Sequence, residues 1–521
     1  MSAGTVSFFA QPTAPAPTTT MTPPDTSIRP AAAVSMVLPP PVAREFRAVW
    51  ISPVGDGTHA DWPSSPGLSP DAQRAELCAL LDRAKAIGLN AVILHVRPAG
   101  DALYASPNMP WSAFLTGASG KDPGYDPLAF AVREAHARGL QLHAWFNPFR
   151  AMLPVFAGKA ASNHVTRTHP EWIRRYGTQL WIDPGDPNAR RAVLAAIVDV
   201  VKRYDVDGVH LDDYFYPYRE SEHIKKRVHR HRVTITRDIQ FPDDKTWRRY
   251  GKRTGWTDRN DWRRDNVNEF IHSLYTQVKA AKPWVLVGIS PFGIWKSGTP
   301  AGITGLDAYS EIYADSRLWL MQGWLDYLAP QLYWPLDGAQ NRFVELDHWW
   351  RESAQNPRGR YVWPGLATFS MQSGRWSSGE ITSQITTLRD GRSGSVDMPG
   401  HVHFRMSALN GDGGLVGSGL RDGVYAQPAL VPVFPWLGGK PPSAPNASAV
   451  GGRRYVVIPG DTVPVVWWLV QQRTSDGSWT TALRRASVGS DTLDVGAAVG
   501  GISVRGIGRS GEAGAFTLIG W

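Results

Sequence analysis

The stretch Asp207-Gly-Val-His-Leu-Asp-Asp-Tyr-Phe-Tyr-Pro217 opens on a short run, Gly208 to Asp213, that reads as a buried β-strand interrupted by polar residues at every second position: His210, Asp212 and then Tyr214. A strand turns successive side chains to opposite faces, so these three point the same way. Helix-length amphipathic segments lie on either side, Pro187 to Tyr204 upstream and Asp265 to Ala281 downstream. The alternation continues outward in both directions. It predicts strands at Phe46 to Ser52, Ala91 to Arg97, Gln141 to Asn147, Val285 to Ser290, Tyr327 to Tyr333, Tyr361 to Leu366 and His401 to Met406. The remaining helices are predicted near Asp71 to Ile87, Pro127 to Arg138, Asp315 to Gly323, Val344 to Ser353 and Ser378 to Arg389. Eight strands alternating with helices predict an α/β fold, a (β/α)8 TIM barrel. An open doubly wound sheet would favour a Gly-rich first turn, and Ile51-Ser-Pro-Val-Gly-Asp-Gly57 is no dinucleotide fingerprint.

The 521 residues exceed one ordinary core, which implies a large barrel with an appendage. Residues 1–43 form a Pro/Ala/Thr-rich low-complexity leader, read as disordered, without a visible signal peptide or lipid-attachment cysteine. The barrel is expected over 44–431, with a basic insertion at 219–265, a linker over 432–450 and a small all-β, sandwich-like domain over 451–521. The last rests on runs such as Val463-Pro-Val-Val-Trp-Trp-Leu-Val470. No apolar run approaches the roughly 20 residues that span a bilayer, so no membrane span is expected. One cysteine, Cys78, allows no intrachain disulfide and leaves the redox compartment open. The net charge of +9 is concentrated in Arg219 to Asp265, where fifteen Lys or Arg face eight Asp or Glu. Such a patch either steers an acidic polymer or is a solvated loop; no nucleic-acid motif accompanies it, and no nucleic-acid partner is expected.

Polar side chains on barrel strands need a reason, because both faces of a parallel strand are buried. His95 and Arg97 share a parity on the second strand, His143, Trp145 and Asn147 on the third, Gln331 and Tyr333 on the sixth, and His403 and Arg405 on the eighth. Together with His210 and Asp212 these are expected to face the lumen and converge at the C-terminal mouth, where barrel enzymes place their sites. Each taken alone is equally an ordinary core polar group; five strands contributing together point to a site. The 23 tryptophans, several near strand ends (Trp50, Trp145, Trp295, Trp334), offer flat faces for the C–H faces of sugar rings or simply pack the core.

The segments Phe46-Arg-Ala-Val-Trp-Ile51, His95-Val-Arg-Pro-Ala-Gly-Asp-Ala102, Leu142-His-Ala-Trp-Phe-Asn-Pro148, Trp181-Ile-Asp-Pro-Gly185, the fourth-strand run, Trp262-Arg-Arg-Asp-Asn-Val-Asn268, Ile289-Ser-Pro-Phe-Gly293, Tyr313-Ala-Asp315 and Ala329-Pro-Gln-Leu-Tyr-Trp334 occur in order. They resemble the glycosyl hydrolase-like family 10 proteins, bacterial envelope proteins with a glycosidase-type barrel. The resemblance covers about residues 44 to 410. It implies glycan cleavage in or beyond the cell envelope, with a polysaccharide partner, most naturally peptidoglycan glycan strands, and no cofactor. The fourth-strand run also looks like a relative of the Asp-Gly-x-Asp-x-Asp-x-Glu motif of family 18 chitinases. Here His210 replaces an acidic position and Tyr214 stands at that family's acid, so a substrate-assisted mechanism does not carry over.

Glycosidic cleavage generally uses two carboxyl groups, one protonated and one ionised. Asp212 has the lumen parity and polar neighbours; Asp213 has the opposite parity and either twists into the site or caps the next loop. Asp315 is the candidate partner carboxylate, ahead of Asp101; either could instead cap a helix or, for Asp101, hold Arg97. Arg97, Asp101, His143, Trp145, Asn147, His210, Tyr214, Asn266, Gln331, Tyr333 and Trp334 are the substrate-binding candidates. No metal site is expected: the His401-x-His403 pair lies on the last strand, whereas a barrel metallohydrolase would normally carry such a pair on its first. Neither a G-x-S-x-G elbow nor a P-loop is present. The competing reading is a glycan-binding protein on a glycosidase scaffold.

Overall fold

A computed structural model describes residues 37–55, 60–228, 231–377, 379–390, 398–410, 415–494 and 501–519. Most of the leader expected over 1–43 lies outside them. Eight parallel strands form the barrel: β1 (Phe46–Ile51), β2 (Ala91–Arg97), β3 (Gln141–Phe146), β4 (Gly208–Leu211), β5 (Leu286–Ile289), β6 (Tyr327–Leu328), β7 (Tyr361–Val362 and Gly365–Leu366) and β8 (Gly400–His403). Pairing runs in chain order from β1 to β7, and the second half of β7 pairs with β8, which returns to β1. The ring closes across Trp363-Pro364, where proline has no N–H to give the ladder. Pro330 acts in the same way on β6, which ends at Leu328 instead of continuing to Tyr333; beyond it only an isolated pairing at Gln331 persists.

Helices cover the outside, among them α1 (Pro70–Ile87), α2 (Pro127–Ala137), α3 (Pro187–Arg203), α4 (Arg259–Ala281), α5 (Ser316–Gln322), α6 (Arg342–Arg351) and α7 (Glu380–Asp390). The first three begin Ser-Pro or Asp-Pro: Ser69, Asp126 and Asp186 accept backbone N–H groups of the first turn while proline occupies the first helical position. Asp258 caps α4 likewise, so that helix starts six residues before the apolar periodicity indicates.

Strand parity sorts the core into two layers. Val49, Ile51, Val92, Leu94, Leu142 and Ala144 pack outward under the helices. Phe46, Ala48, Trp50, Ala91, Ile93, Trp145, Tyr327, Trp363 and Val402 fill the lumen. Two glycines make room for large lumen residues: a Cβ at Gly208 would meet His143 Nδ1 at 2.7 Å, and one at Gly288 would meet Tyr327 Cζ at 2.0 Å.

The basic insertion contains an antiparallel hairpin, Ser221–Val228 with His231–Asp238, in place of an irregular loop. Its far end is anchored by buried Asp243, which accepts from Arg263 of α4, while Thr246 donates to buried Asp183 at 2.7 Å. The C-terminal region folds as two antiparallel sheets around Val457, Trp468, Val470, Leu493, Ile502 and Val504. Its first strand, Asn446–Gly451, begins inside the stretch expected as a linker. This region packs beneath the N-terminal ends of the barrel strands: Leu483 lies against Gly139, and Arg485 pairs with Asp205, at 2.5 Å. The mouth is therefore left to the barrel's own loops.

Candidate active site

The lumen residues form a ladder that ends in a carboxyl group. At its base, the Trp50 indole Nε1 donates to His210 Nε2 at 3.2 Å. Indole is a donor only, so His210 Nε2 accepts and its Nδ1 carries the hydrogen. That hydrogen goes to the Tyr327 hydroxyl at 3.0 Å, and Tyr327 donates in turn to His143 Nδ1 at 2.8 Å. The remaining His143 N–H points at Gln141 Oε1, at 3.3 Å. Every polar atom of this chain has a role with both imidazoles neutral. Burial holds both histidines well below their usual proton affinity, His143 at about 4.

One layer above, His95 stacks on Trp145 at 3.7 Å with rings 5° apart, and its Nδ1 meets Ser52 Oγ at 3.0 Å. Trp145 Nε1 then donates to Asp212 Oδ2 at 3.0 Å, and Asn147 Nδ2 donates to the same oxygen at 3.1 Å. Among the described residues Oδ1 accepts only the Tyr214 backbone N–H, at 3.3 Å. Asp212 is 4% exposed. Burial, reinforced by the adjacent Asp213 charge, pushes its carboxyl up to about 7, against the pull of Arg150 and of its hydrogen bonds. With Oδ2 taken by two donors, Oδ1 is the oxygen free to carry a proton.

Asp213, also 4% exposed, leaves the strand on the other side yet stays in the site. Tyr218 donates to its Oδ2, Gln331 hydrogen-bonds it, and burial raises its carboxyl as well. Gln331 is itself held on the Ser290 carbonyl at 3.1 Å. Tyr333 lies near Asp213 and Tyr214, with its ring against Phe369 and Phe404. The strand-end twist that admits both aspartates thus brings together Trp145, Asn147, Asp212, Asp213, Tyr214, Gln331 and Tyr333.

Other candidates are placed elsewhere. Asp315 is the N-cap of α5: its Oδ1 accepts the Leu318 N–H at 3.3 Å and the Trp295 indole at 2.9 Å, with Arg264 and Arg317 as its charged neighbours. Capping geometry accounts for this carboxyl. Asn266 lies between helices and accepts from Arg190 at 2.7 Å. Trp334, on the opposite parity from Tyr333, packs edge-on against Phe292. His143 and His210 are buried struts below the mouth. Arg97 gives its guanidinium to the Asn147 and Pro148 carbonyls and so fixes the turn that aims Asn147. Asp101 faces a small pocket beside Phe114, Lys159 and His164, with its carboxyl raised by burial to about 6. On β8 it is Val402 that points inward. His403 therefore faces out, bonded to Thr368 and Tyr425, and His401 bonds the same Tyr425 hydroxyl. Arg405 donates to the Val54 carbonyl at 2.8 Å.

Sequence reasoning missed two residues. Tyr218 stands one place beyond the Pro217 that ends the fourth-strand run. Arg150 follows Asn147-Pro-Phe directly; its guanidinium covers the Tyr214 ring at 4.4 Å and acts on both aspartates. A basic residue placed just after an apolar strand end was the available signal.

Comparison with known proteins identifies the family. The glycosyl hydrolase-like 10 family matches residues 45–378. The chain is 40% identical over 417 residues to glycosyl hydrolase YngK of Bacillus subtilis (strain 168), covering 78% of this chain and 77% of that protein. It is 34% identical over 374 residues to glycosyl hydrolase DigH of Escherichia coli (strain K12), covering 67% and 79%. Among solved structures, the PgaB (BpsB) glycoside hydrolase domain from Bordetella bronchiseptica aligns over 73% of this chain and 98% of that one, with a TM-score of 0.41 and 16% identity, too distant to bear on the site. The chain belongs to the glycosyl hydrolase-like 10 family and is a glycoside hydrolase.

Proposed function

We propose that this enzyme cleaves glycosidic bonds in a bacterial cell-envelope polysaccharide, the glycan strands of peptidoglycan, and that Asp212 and Asp213 carry the chemistry. The observation that carries this reading is the buried pair itself: two adjacent carboxyls, both raised, with Asp212 at about 7. Neighbouring carboxyls that cannot both ionise easily divide the roles of acid and base between them. Asp212, protonated on Oδ1, gives its proton to the glycosidic oxygen as the bond from that oxygen to the anomeric carbon breaks. Ionised Asp213, held by Tyr218 and Gln331, stabilises the positive charge that develops on the sugar. Water then supplies hydroxide to the anomeric carbon, and its second proton restores the carboxyl pair.

The substrate assignment rests on the family's envelope setting, on relatives from two bacteria, on the aromatic lining of the mouth and on the chain's net positive charge. Action in the envelope or outside the cell belongs to the same proposal. Incubation with purified peptidoglycan sacculi and with amidase-stripped glycan strands tests it: soluble oligosaccharides with new reducing ends are expected. Protein that pellets with either glycan but releases nothing would contradict cleavage, and would favour a glycan-binding role.

A further inference from the structure

A buried guanidinium ordinarily has a carboxylate partner, because an unpaired charge away from water is costly. Among the described residues Arg150 has none at ion-pair distance, although its charge acts on Asp212 and Asp213. It is 8% exposed, one of its terminal nitrogens reaches the Pro98 carbonyl only at 3.4 Å, and its Nε–H, buried, has no hydrogen-bond partner. Its backbone N–H is locked onto Asn147 Oδ1 at 2.9 Å, so the residue is held beside the same asparagine that donates to Asp212. Tyr214 supports the guanidinium from one face at 4.4 Å, with Trp181 further off at 5.9 Å. A rigid cation with an unused donor, held beside two carboxyls, suits a ligand that brings its own acceptor.

We infer that Arg150 is a substrate-contacting residue: its guanidinium donates to an oxygen of the sugar bound against Asp212 and Asp213. The ligand class is a saccharide presenting a hydroxyl or acetamido oxygen at that point. The inference rests on the proposed role of the two aspartates. The groups that face the pair are Tyr214, Tyr218, Tyr333, Gln331, Asn147 and Trp145, with the buried cation Arg97 behind Asp212 and neutral His95 beside Arg150. Tyrosines stay protonated through neutral pH. Arg150 is therefore the cation whose removal leaves the site's hydrogen bonds to both carboxyls in place.

Arg150→Gln and Arg150→Lys should be assayed as full-length proteins on stripped glycan strands across pH, alongside Asp212→Asn, with oligosaccharide affinity measured by calorimetry in the Asp212→Asn background. Arg150→Gln should lower kcat/KM by about tenfold to a hundredfold. Because the positive charge lowers both carboxyls, its loss should move both limbs of the pH profile to higher pH. Arg150→Lys should keep the limbs in place but weaken binding, since it retains the charge and loses the fixed fork. Limbs unmoved in Arg150→Gln, with oligosaccharide affinity also unchanged, would overturn the inference even if Asp212→Asn is inactive. Full activity in Asp212→Asn would instead overturn the carboxyl assignment on which it rests. Should Arg150→Gln fail to fold, the affinity and profile of Arg150→Lys decide the question.

Discussion

The Trp145 indole donates to Asp212 Oδ2 at 3.0 Å while its ring lies flat on His95, 3.7 Å away, so one side chain links the packed lumen to the carboxyl at the mouth. Trp145→Phe keeps the stacking surface and deletes the donor. That hydrogen bond favours the ionised carboxyl, so its loss should raise Asp212 further and move the alkaline limb of the rate profile to higher pH, with activity down by about tenfold. Rate profiles of the two proteins check this; an unmoved alkaline limb would disconnect Trp145 from the titration.

Asp212 binds its proton more tightly in the folded chain, at about 7, than an ordinary carboxyl near 3.9 does in the unfolded one. Between those values the native state holds the extra proton, so this group's contribution to stability is lost as pH rises through that window. Asp212→Asn removes the slope, and its carbonyl can still accept from Trp145 and Asn147. The variant should be more stable than wild type at pH 8 by about 1–3 kcal/mol, with the gap closing towards pH 4. Denaturant unfolding at the two pH values checks it, and an equal gap at both would contradict the assignment of burial strain to this carboxyl.

Tyr327 stands between two neutral imidazoles, donating to one and accepting from the other. Tyr327→Phe leaves both Nδ1 atoms buried without a partner and should cost about 2–4 kcal/mol, at roughly 1–3 kcal/mol for each unsatisfied group. Urea unfolding measures the loss, and nitrogen-15 shifts of His210 and His143 report whether the fixed tautomers scramble.

Asp315 offers the opposite contrast. As the cap of α5 it should lose about 1 kcal/mol of stability in Asp315→Ala while kcat is kept. A collapse of kcat without loss of stability would return it to the chemistry.

The barrel was legible in the sequence because the chain repeats one unit eight times and marks its first helices with Ser-Pro or Asp-Pro starts. Lumen parity was legible on β2, β3 and β4, where His95, Trp145, Asn147 and Asp212 face inward as the alternation requires. It failed on β8: His401 and His403 have the right alternation but the outward phase, and phase depends on which neighbours a strand meets, not on its own pattern. Asp315 and Asn266 carry side chains that serve equally as a helix cap, an interhelical acceptor or a glycan contact, and sequence alternation does not tell these uses apart. Arg150 left only the signal of a basic residue just after an apolar strand end, because Tyr214, Asp212 and Asp213 come to it in three dimensions and not in a linear motif.

The most direct test compares wild type with Asp212→Asn on one glycan-strand preparation, counting new reducing ends from pH 4 to 9. Wild type should release reducing ends with an alkaline limb near 7, because the proton on Asp212 is required. Asp212→Asn should bind the strands and release none. Undiminished release by Asp212→Asn, with the same alkaline limb, would contradict the assignment of the acid to this residue.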